Sequence, residues 1–275
     1  MSNPDSLTLV SYLAPNWFWF YKAVAVYLQR VLGIEIQITE SQFDPLDDPA
    51  LLNDRIDLAF ICGLPFIRRY LHAPAQLQPL VAPVMQSERY SDRPVYFADV
   101  IVHANSGMTA FDDLRGQAFC YNDPGSNSGY NLLCYHLIQK GYSPAFWGSA
   151  FQSGSHQQSI QMVITGKADY AAIDSTVLSQ ELRNVPALSG QLQVVESIGP
   201  CPMPPIVAAQ RLGDALISDI QQALLEPDLI LQERMRQAGI QRYEQVSVDS
   251  YRELADRYEA VLKAGYNAIL ASACR

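Results

Sequence analysis

The stretch Tyr121–Leu133, which reads YNDPGSNSGYNLL, decides how the chain around it is organised. Turn-forming and hydroxyl residues fill it from residue 122 to 129, and apolar residues follow. The preceding QAFCYN is typical of a strand, and we expect a helix from about Asn127 to Lys140. A strand, a tight turn and a helix N-terminus predict an anion pocket, because the first helical N–H groups have no partner within the helix.

Side chains in the same turn add hydrogen-bond donors. Ser126, Asn127 and Ser128 can each donate to an anion, and two glycines let the backbone approach a ligand closely. The turn has no Lys and no Walker pattern, which disfavours a nucleotide-binding P-loop. The simpler alternative is that Asp123 or Ser126 only caps the helix. Because a cap needs one such residue and this turn has seven polar or small residues in a row, we favour a ligand site.

A second turn of the same kind, SGSHQQS, begins at Ser153. Ser155 is the predicted helix cap, and His156 can donate to an oxyanion whose negative charge would favour protonation of the ring. The alternative is a surface histidine at a capped turn. Because helix N-termini gather at the carboxyl ends of strands in a doubly wound sheet, we expect the two turns to lie together.

The order of strands and helices predicts an α/β protein with two lobes. Strand and helix patterns alternate from residue 7 to 71, which is typical of a parallel α/β unit, and we expect Gly33 to end the first helix. A second set begins with the long strand pattern VYFADVIVHA, and the chain from Leu212 onward is mostly helical in pattern. We predict a discontinuous first lobe of residues 1–98 plus 199–275 and a second lobe of residues 99–198, with the Pro-rich CPMPP as a hinge.

Composition excludes several classes of function. The net charge of the 275-residue chain is −9, so we expect no nucleic-acid partner. No apolar run is long enough to insert into a membrane, and no signal peptide is visible, so the protein is either cytosolic or one whose signal was removed. The five cysteines form no CxxC pair and indicate buried free thiols. The four histidines lack metal-ligand spacing, and we predict no metal and no cofactor.

Aromatic residues crowd the end of the first strand pattern and the start of the helix after it. Residues 17–21 read WFWFY, and a helix can turn only one stripe of them toward a core. We expect Phe20 to pack in the core, and we predict that Tyr12 and Trp17 form a wall of the ligand site. Such a wall suits an organic substituent.

Several segments together resemble a known family. They are RIDLAFICGLPFI from Arg55, VYFADVIVHANSGMTAFDDLRGQAF from Val95, and FCYNDPGSNSGYNLL, LIQKGY and GSHQQSIQMVITGKADYAAID between residues 119 and 174. They are similar to the PhnD-like substrate-binding proteins of ABC transporters for phosphonate, phosphite and phosphate. The resemblance covers most of residues 55–210.

The resemblance implies a type II periplasmic-binding-protein fold with the ligand in a cleft between two lobes. It implies that the oxyanion head is held by Ser126, Asn127, Ser128 and His156, with Asn127 in place of the family's usual threonine. Tyr96 falls where the family has a tyrosine on the crossover strand. Asp174 lies near the family's acidic position that meets an amino group of the ligand.

The function that we predict is non-enzymatic binding of a small phosphorus oxyanion, as the solute-binding component of an ABC transporter. The partners would be the oxyanion and the transporter's membrane subunits, and the family location is periplasmic. One alternative is a cytosolic small-ligand sensor with the same fold. The other is an enzyme on this fold, in which Cys120 and His156 would meet as nucleophile and base.

Overall fold

The computed structural model of the protein describes residues 4–266. Within them the chain forms two compact units, each with its own sheet. The first unit contains the chain up to Val95 and Pro202–Arg252, and the second contains Tyr96–Cys201 and the chain from Glu253 onward. Cys274, one of the five cysteines, lies outside the described residues.

Strands and helices alternate along most of the described chain. The strands are β1 (Ser6–Ser11), β2 (Glu35–Glu40), β3 (Leu58–Phe60), β4 (Leu77–Met85), β5 (Val95–His103), β6 (Ala118–Tyr121), β7 (Ser149–Gln152), β8 (Tyr170–Asp174), β9 (Leu192–Pro202), β10 (Ile206–Ala209) and β11 (Ile240–Gln245). The helices are α1 (Phe18–Leu32), α2 (Pro49–Leu52), α3 (Gly63–His72), α4 (Leu132–Gln139), α5 (His156–Ile164), α6 (Ser175–Asn184), α7 (Asp214–Leu225), α8 (Leu229–Ala238) and α9 (Arg252–Lys263). In residues 4–266 no helix has both the length and the apolar character needed to cross a bilayer.

The sheet of the first unit confirms the predicted parallel α/β arrangement at one end. Its order is β11-β4-β10-β3-β1-β2, and β1 pairs in parallel with both β2 and β3. Helix α1 stops where predicted, because Gly33 has a φ of 68° that most side chains disfavour. Phe20, on the buried face of α1, lies in the core as predicted, with an exposed fraction of 2%.

The other half of this sheet is antiparallel and was missed by the sequence analysis. Strand β4 lies between β10 and β11 and pairs with both. It contains Pro79 and Pro83, and proline cannot donate a ladder hydrogen bond, so its pattern argues against a central strand. Tertiary pairing outweighs that local penalty here. Strands β10 and β11 are short, and β11 (IQRYEQ) is mostly polar, which is why neither gives a strong strand signal.

The sheet of the second unit has the order β7-β6-β8-β5-β9. Strand β6 pairs in parallel with β7 on one side and with β8 on the other, while β5 runs antiparallel to β8. The carboxyl ends of β6, β7 and β8 therefore lie at one edge of the sheet, together with the beginning of β5. Strand β7 has four residues and was not predicted.

The structure divides the end of the chain differently from the sequence prediction. We expected all of residues 199–275 in the first lobe, whereas the chain from Glu253 onward belongs to the second unit. Polar contacts with that unit explain the assignment. Arg257 donates to the Cys201 sulfur at 3.1 Å, and the Tyr266 backbone oxygen accepts from the Tyr130 hydroxyl at 2.8 Å.

A close backbone approach at Gly148 sets β7 beside β6, which leads to a test. A Cβ atom at Gly148 would lie 2.0 Å from the Gly116 backbone oxygen, so we expect Gly148→Ala to lower the free energy of unfolding by about 2 kcal/mol. The control is Gly190→Ala, where a Cβ meets nothing within 4 Å. Urea unfolding followed by circular dichroism measures both. Equal stability of the two variants would contradict the packing described here.

Candidate anion-binding site

Three helix beginnings meet at the carboxyl edge of the second sheet. Strand β6 ends at Tyr121 and leads into a π-helical turn, Asn127–Asn131, that continues as α4. Strand β7 is followed by α5, and β8 passes directly into α6. Each beginning presents backbone N–H groups without helical partners, and the peptide dipoles give that end a partial positive charge. This edge is therefore suited to an anion.

Side chains within the turn after β6 fix its shape. The Ser126 hydroxyl oxygen accepts from the Gly129 backbone N–H at 3.1 Å, so Ser126 does cap the helix. Asn131 donates its side-chain amide to the backbone oxygens of Ser126, at 2.8 Å, and Pro124, at 3.2 Å. A Cβ at Gly129 would lie 1.7 Å from the Asn122 amide oxygen, so a larger residue there would have to displace the Asn122 side chain. The turn is thus a rigid unit before any ligand is considered.

Backbone hydrogen bonds tie the second predicted turn to the first. The Ser153 N–H donates to the Tyr121 backbone oxygen at 2.7 Å, and the Gly154 N–H donates to the Asn122 backbone oxygen at 2.9 Å. Ser155 is the helix cap, as predicted, since its hydroxyl oxygen accepts from the Gln158 N–H at 3.2 Å. These bonds bring the first residue of α5 next to the π-helical turn.

That first residue, His156, contacts Ser128. The His156 Nε2 and Ser128 Oγ atoms lie 3.1 Å apart, and both side chains are buried. Burial lowers the pKa of His156 to about 4, so the ring is neutral near pH 7 and carries one N–H. If that hydrogen is on Nε2, it donates to Ser128 and directs the serine O–H hydrogen elsewhere. This pairing of Ser128 with His156 was not predicted, although the sequence suggested both residues.

Asn127 and Tyr96 form a second buried pair. The Asn127 side-chain amide donates to the Tyr96 hydroxyl at 2.6 Å, and a side-chain hydrogen bond joins Asn127 to Cys201. Asn127, Tyr96 and Cys201 are all buried. The Asn127 side chain is thus engaged with protein groups. Its predicted direct contact with a ligand stays a prediction, and so does that of Tyr96.

Asp174 ends β8 at the same edge and caps α6. One of its carboxylate oxygens accepts from the Thr176 N–H at 2.8 Å and from the Thr176 hydroxyl at 2.7 Å. Burial raises the pKa of Asp174 to about 6, although the bonds from Thr176 act in the opposite direction. Its predicted contact with an amino group of a ligand stays a prediction.

Tyr12 and Trp17 belong to the first unit. The Tyr12 hydroxyl donates to an Asp48 carboxylate oxygen at 2.7 Å. Trp17 has an exposed fraction of 5% and meets Phe20 edge to face, with ring centroids 6.1 Å apart. The predicted aromatic wall stays a prediction.

A known protein family matches most of this chain. The family model described as ABC transporter, phosphonate, periplasmic substrate-binding protein matches residues 18–251. The chain belongs to this family. The resemblance seen in the turn motifs is thereby confirmed.

Solved structures of several binding proteins share the fold of this chain. PhnD1 from Prochlorococcus marinus in complex with methylphosphonate has a TM-score of 0.82 at 17% identity, over 95% of this chain and 100% of that one. The binding-protein component of a phosphonate ABC transporter from Pseudomonas aeruginosa has a TM-score of 0.80 at 14% identity, over 99% and 96%. The periplasmic aliphatic sulphonate-binding protein SsuA from Escherichia coli has a TM-score of 0.63 at 17% identity, over 95% and 88%. They confirm the predicted α/β periplasmic-binding-protein fold.

For this phosphonate-family chain, sequence reasoning missed the residues that support the site. Asn131 locks the turn, Asn122 packs against Gly129, and Cys201 contacts Asn127. Asn131 lies inside the motif, and a polar residue in an otherwise apolar helix start was an available signal. Cys201 is far away in sequence and had no such signal.

The enzyme alternative requires a reactive Cys120 thiol, and the surroundings of Cys120 disfavour reactivity. Cys120 is buried in β6 of the phosphonate-family fold, and its sulfur donates to the Ser159 backbone oxygen at 3.8 Å. Burial raises the pKa of the Cys120 thiol to about 12. Because the thiolate is the nucleophilic form, Cys120 is suited to packing rather than to attack on a substrate.

The pKa of His156 predicts how stability changes with pH. Its folded pKa, about 4, lies below the usual histidine pKa of 6.5, so the unfolded chain binds more protons between these pH values and stability falls as the pH falls. Relative to His156→Gln, we expect the wild type to lose about 3 kcal/mol between pH 6.5 and 4. Chemical unfolding at a series of pH values measures this difference.

Two comparisons isolate the histidine. Asp174 acts in the opposite direction, because its pKa is raised to about 6 and the folded state therefore holds the extra proton, so both proteins in the comparison must retain Asp174. The control variant is His72→Gln, at an exposed residue, for which we expect no comparable change. A difference between wild type and His156→Gln that is constant with pH would contradict a buried neutral ring.

Proposed function

We propose that the carboxyl edge of the second sheet binds the oxyanion head of a phosphonate, a phosphite or a phosphate ester. The observation that carries the proposal is the buried Ser128–His156 pair, 3.1 Å apart, where the π-helical turn and α5 both begin. Partly positive helix ends and a serine hydroxyl are groups that suit phosphoryl oxygens. The PhnD1 structure, which holds methylphosphonate, supports the same ligand class.

We assign separate roles to the residues of this edge. The hydroxyl groups of Ser126 and Ser128 donate to the oxyanion, because the Ser126 oxygen accepts from Gly129 and the tautomer of neutral His156 with its hydrogen on Nε2 donates to Ser128. Backbone N–H groups at the start of the π-helical turn and of α5 complete the set of donors. Asn127 holds the Tyr96 hydroxyl in position through their 2.6 Å bond. His156 thus acts through Ser128 and needs no positive charge.

We also propose that the protein binds its ligand without chemical change, as the solute-binding component of an ABC transporter whose membrane subunits are its partners. The family membership supports the transport role. The groups of the proposed site are donors and a neutral imidazole, and the buried Cys120 is held as a thiol by its raised pKa. Binding with no turnover of the phosphorus compound is therefore the expected behaviour.

Substitution of Ser128 tests the site. We expect Ser128→Ala to weaken binding of methylphosphonate by about tenfold or more, because a hydrogen bond to a charged oxygen contributes about 1.5–3 kcal/mol. Isothermal titration calorimetry on the full chain measures affinity, and thermal unfolding shows whether the fold is intact. The matched control is Ser189→Ala, at an exposed serine, which should bind like the wild type.

A ligand panel tests the class of ligand. Methylphosphonate, phosphite and phenyl phosphate should each be tried with the wild type, and at least one should raise the melting temperature, since a ligand that binds only the folded state stabilises it by mass action. No shift with any of them would overturn the proposed ligand class. Full affinity in Ser128→Ala would instead show that the ligand binds elsewhere.

A further inference from the structure

A cation, Arg257, is separated from the proposed site by the side chain of Cys201. Arg257, on α9, donates through Nη1 to the Cys201 sulfur at 3.1 Å, and its guanidinium carbon lies 5.6 Å from the centroid of the Tyr135 ring. The Arg257 side chain is only 19% exposed. A largely buried positive charge of this kind acts over several ångströms, because protein screens it less than water does.

Two successive contacts connect this cation to the site. Arg257 bonds to Cys201, and Cys201 shares a side-chain hydrogen bond with Asn127. Asn127 in turn donates to Tyr96 at 2.6 Å. Burial raises the pKa of the Cys201 thiol to about 11, so the sulfur that receives the guanidinium N–H is neutral. Cys201 therefore leaves the charge of Arg257 uncompensated on the side that faces Asn127.

The opposite side of the guanidinium carries a carboxylate. Glu253 lies one helical turn earlier on α9 and accepts from Arg257 at 2.6 Å. The Glu253 side chain is 67% exposed, so water screens its charge more than that of the buried arginine. The Arg257–Glu253 pair therefore contributes a positive potential on the side of Asn127.

We propose that Arg257 is a specificity-determining residue that favours dianionic over monoanionic ligand heads, acting through Cys201 and Asn127. This inference rests on the proposed function, since it assumes that the head binds at the π-helical turn. The hydroxyl groups and helix ends of the site carry only partial positive charges, and their attraction also grows with the negative charge of the ligand. A unit charge close behind them adds a Coulomb energy proportional to the ligand charge, which is twice as large for a dianion. The assigned ligand class is therefore the fully ionised phosphonate or phosphate monoester.

The test is calorimetric titration of methylphosphonate into the full chain at pH 5.5 and at pH 8.5, where the ligand is mainly a monoanion and a dianion respectively. For Arg257→Met we expect affinity to fall by about tenfold at pH 8.5 and by about threefold at pH 5.5, because the lost energy scales with ligand charge. The affinity of the wild type is divided by that of the variant at each pH. This ratio removes the effect of groups that titrate in both proteins, such as Asp174.

Two further variants separate charge from packing. Arg257→Lys keeps the charge and should retain most of the preference for the dianion. Glu253→Gln removes the opposing carboxylate and should raise the affinity for the dianion by about twofold. A purely structural role for the Arg257–Glu253 pair predicts instead that Glu253→Gln and Arg257→Met both weaken binding, with equal factors at the two pH values.

The outcomes distinguish this inference from the proposed function. If the wild type binds none of methylphosphonate, phosphite and phenyl phosphate, the proposed function falls and the inference falls with it. If the wild type binds but Arg257→Met loses nothing, or loses the same factor at both pH values, only the inference is overturned. Should Arg257→Met fail to fold, Glu253→Gln and Arg257→Lys still decide, since a fall in dianion affinity in Glu253→Gln would contradict the inference.

Discussion

The parallel pairing of β6 with β7 and β8 is the constraint on which the proposed site depends. Parallel strands place their carboxyl ends at one edge, and the helices that follow must begin there. The backbone bonds from Ser153 and Gly154 to Tyr121 and Asn122 make that proximity specific. They bring His156 within hydrogen-bond distance of Ser128. The side chains therefore add donors to an edge where the backbone N–H groups and helix ends already favour an anion.

Burial then determines how these side chains can act. A neutral imidazole, with a pKa of about 4, fixes a serine rather than competing for the negative charge. An amide bonds to a tyrosine hydroxyl and to a thiol instead of standing exposed. Positive charge is kept one layer away, on Arg257. In the proposed site, local donors and a poorly screened cation would act at short range, which is how a chain with a net charge of −9 would bind an anion.

Sequence reasoning succeeded where one local pattern carries the information. Strand and helix periodicity in the first unit, the stop at Gly33 and the cap at Ser155 were all predicted correctly. It failed where the partner is distant. The prolines of β4 argue against a central strand, yet β10 and β11 pair on either side of it. The sequence prediction assigned the end of the chain to the first lobe. In the structure, α9 from Glu253 belongs to the second unit, where Arg257 contacts Cys201.

By itself, the sequence determined the α/β class, the two turns with their donor residues and the resemblance to the phosphonate-binding family, because helix caps, glycines and apolar periodicity are local properties. Only the tertiary structure decided which donors meet which partners. Ser128 faces His156, Asn127 faces Tyr96, and Cys201 links Asn127 to Arg257. These pairs join residues that are 28 to 74 positions apart in the sequence, so no local pattern specifies them. The order of the strands in the sheet and the place of α9 in the second unit specify these pairs.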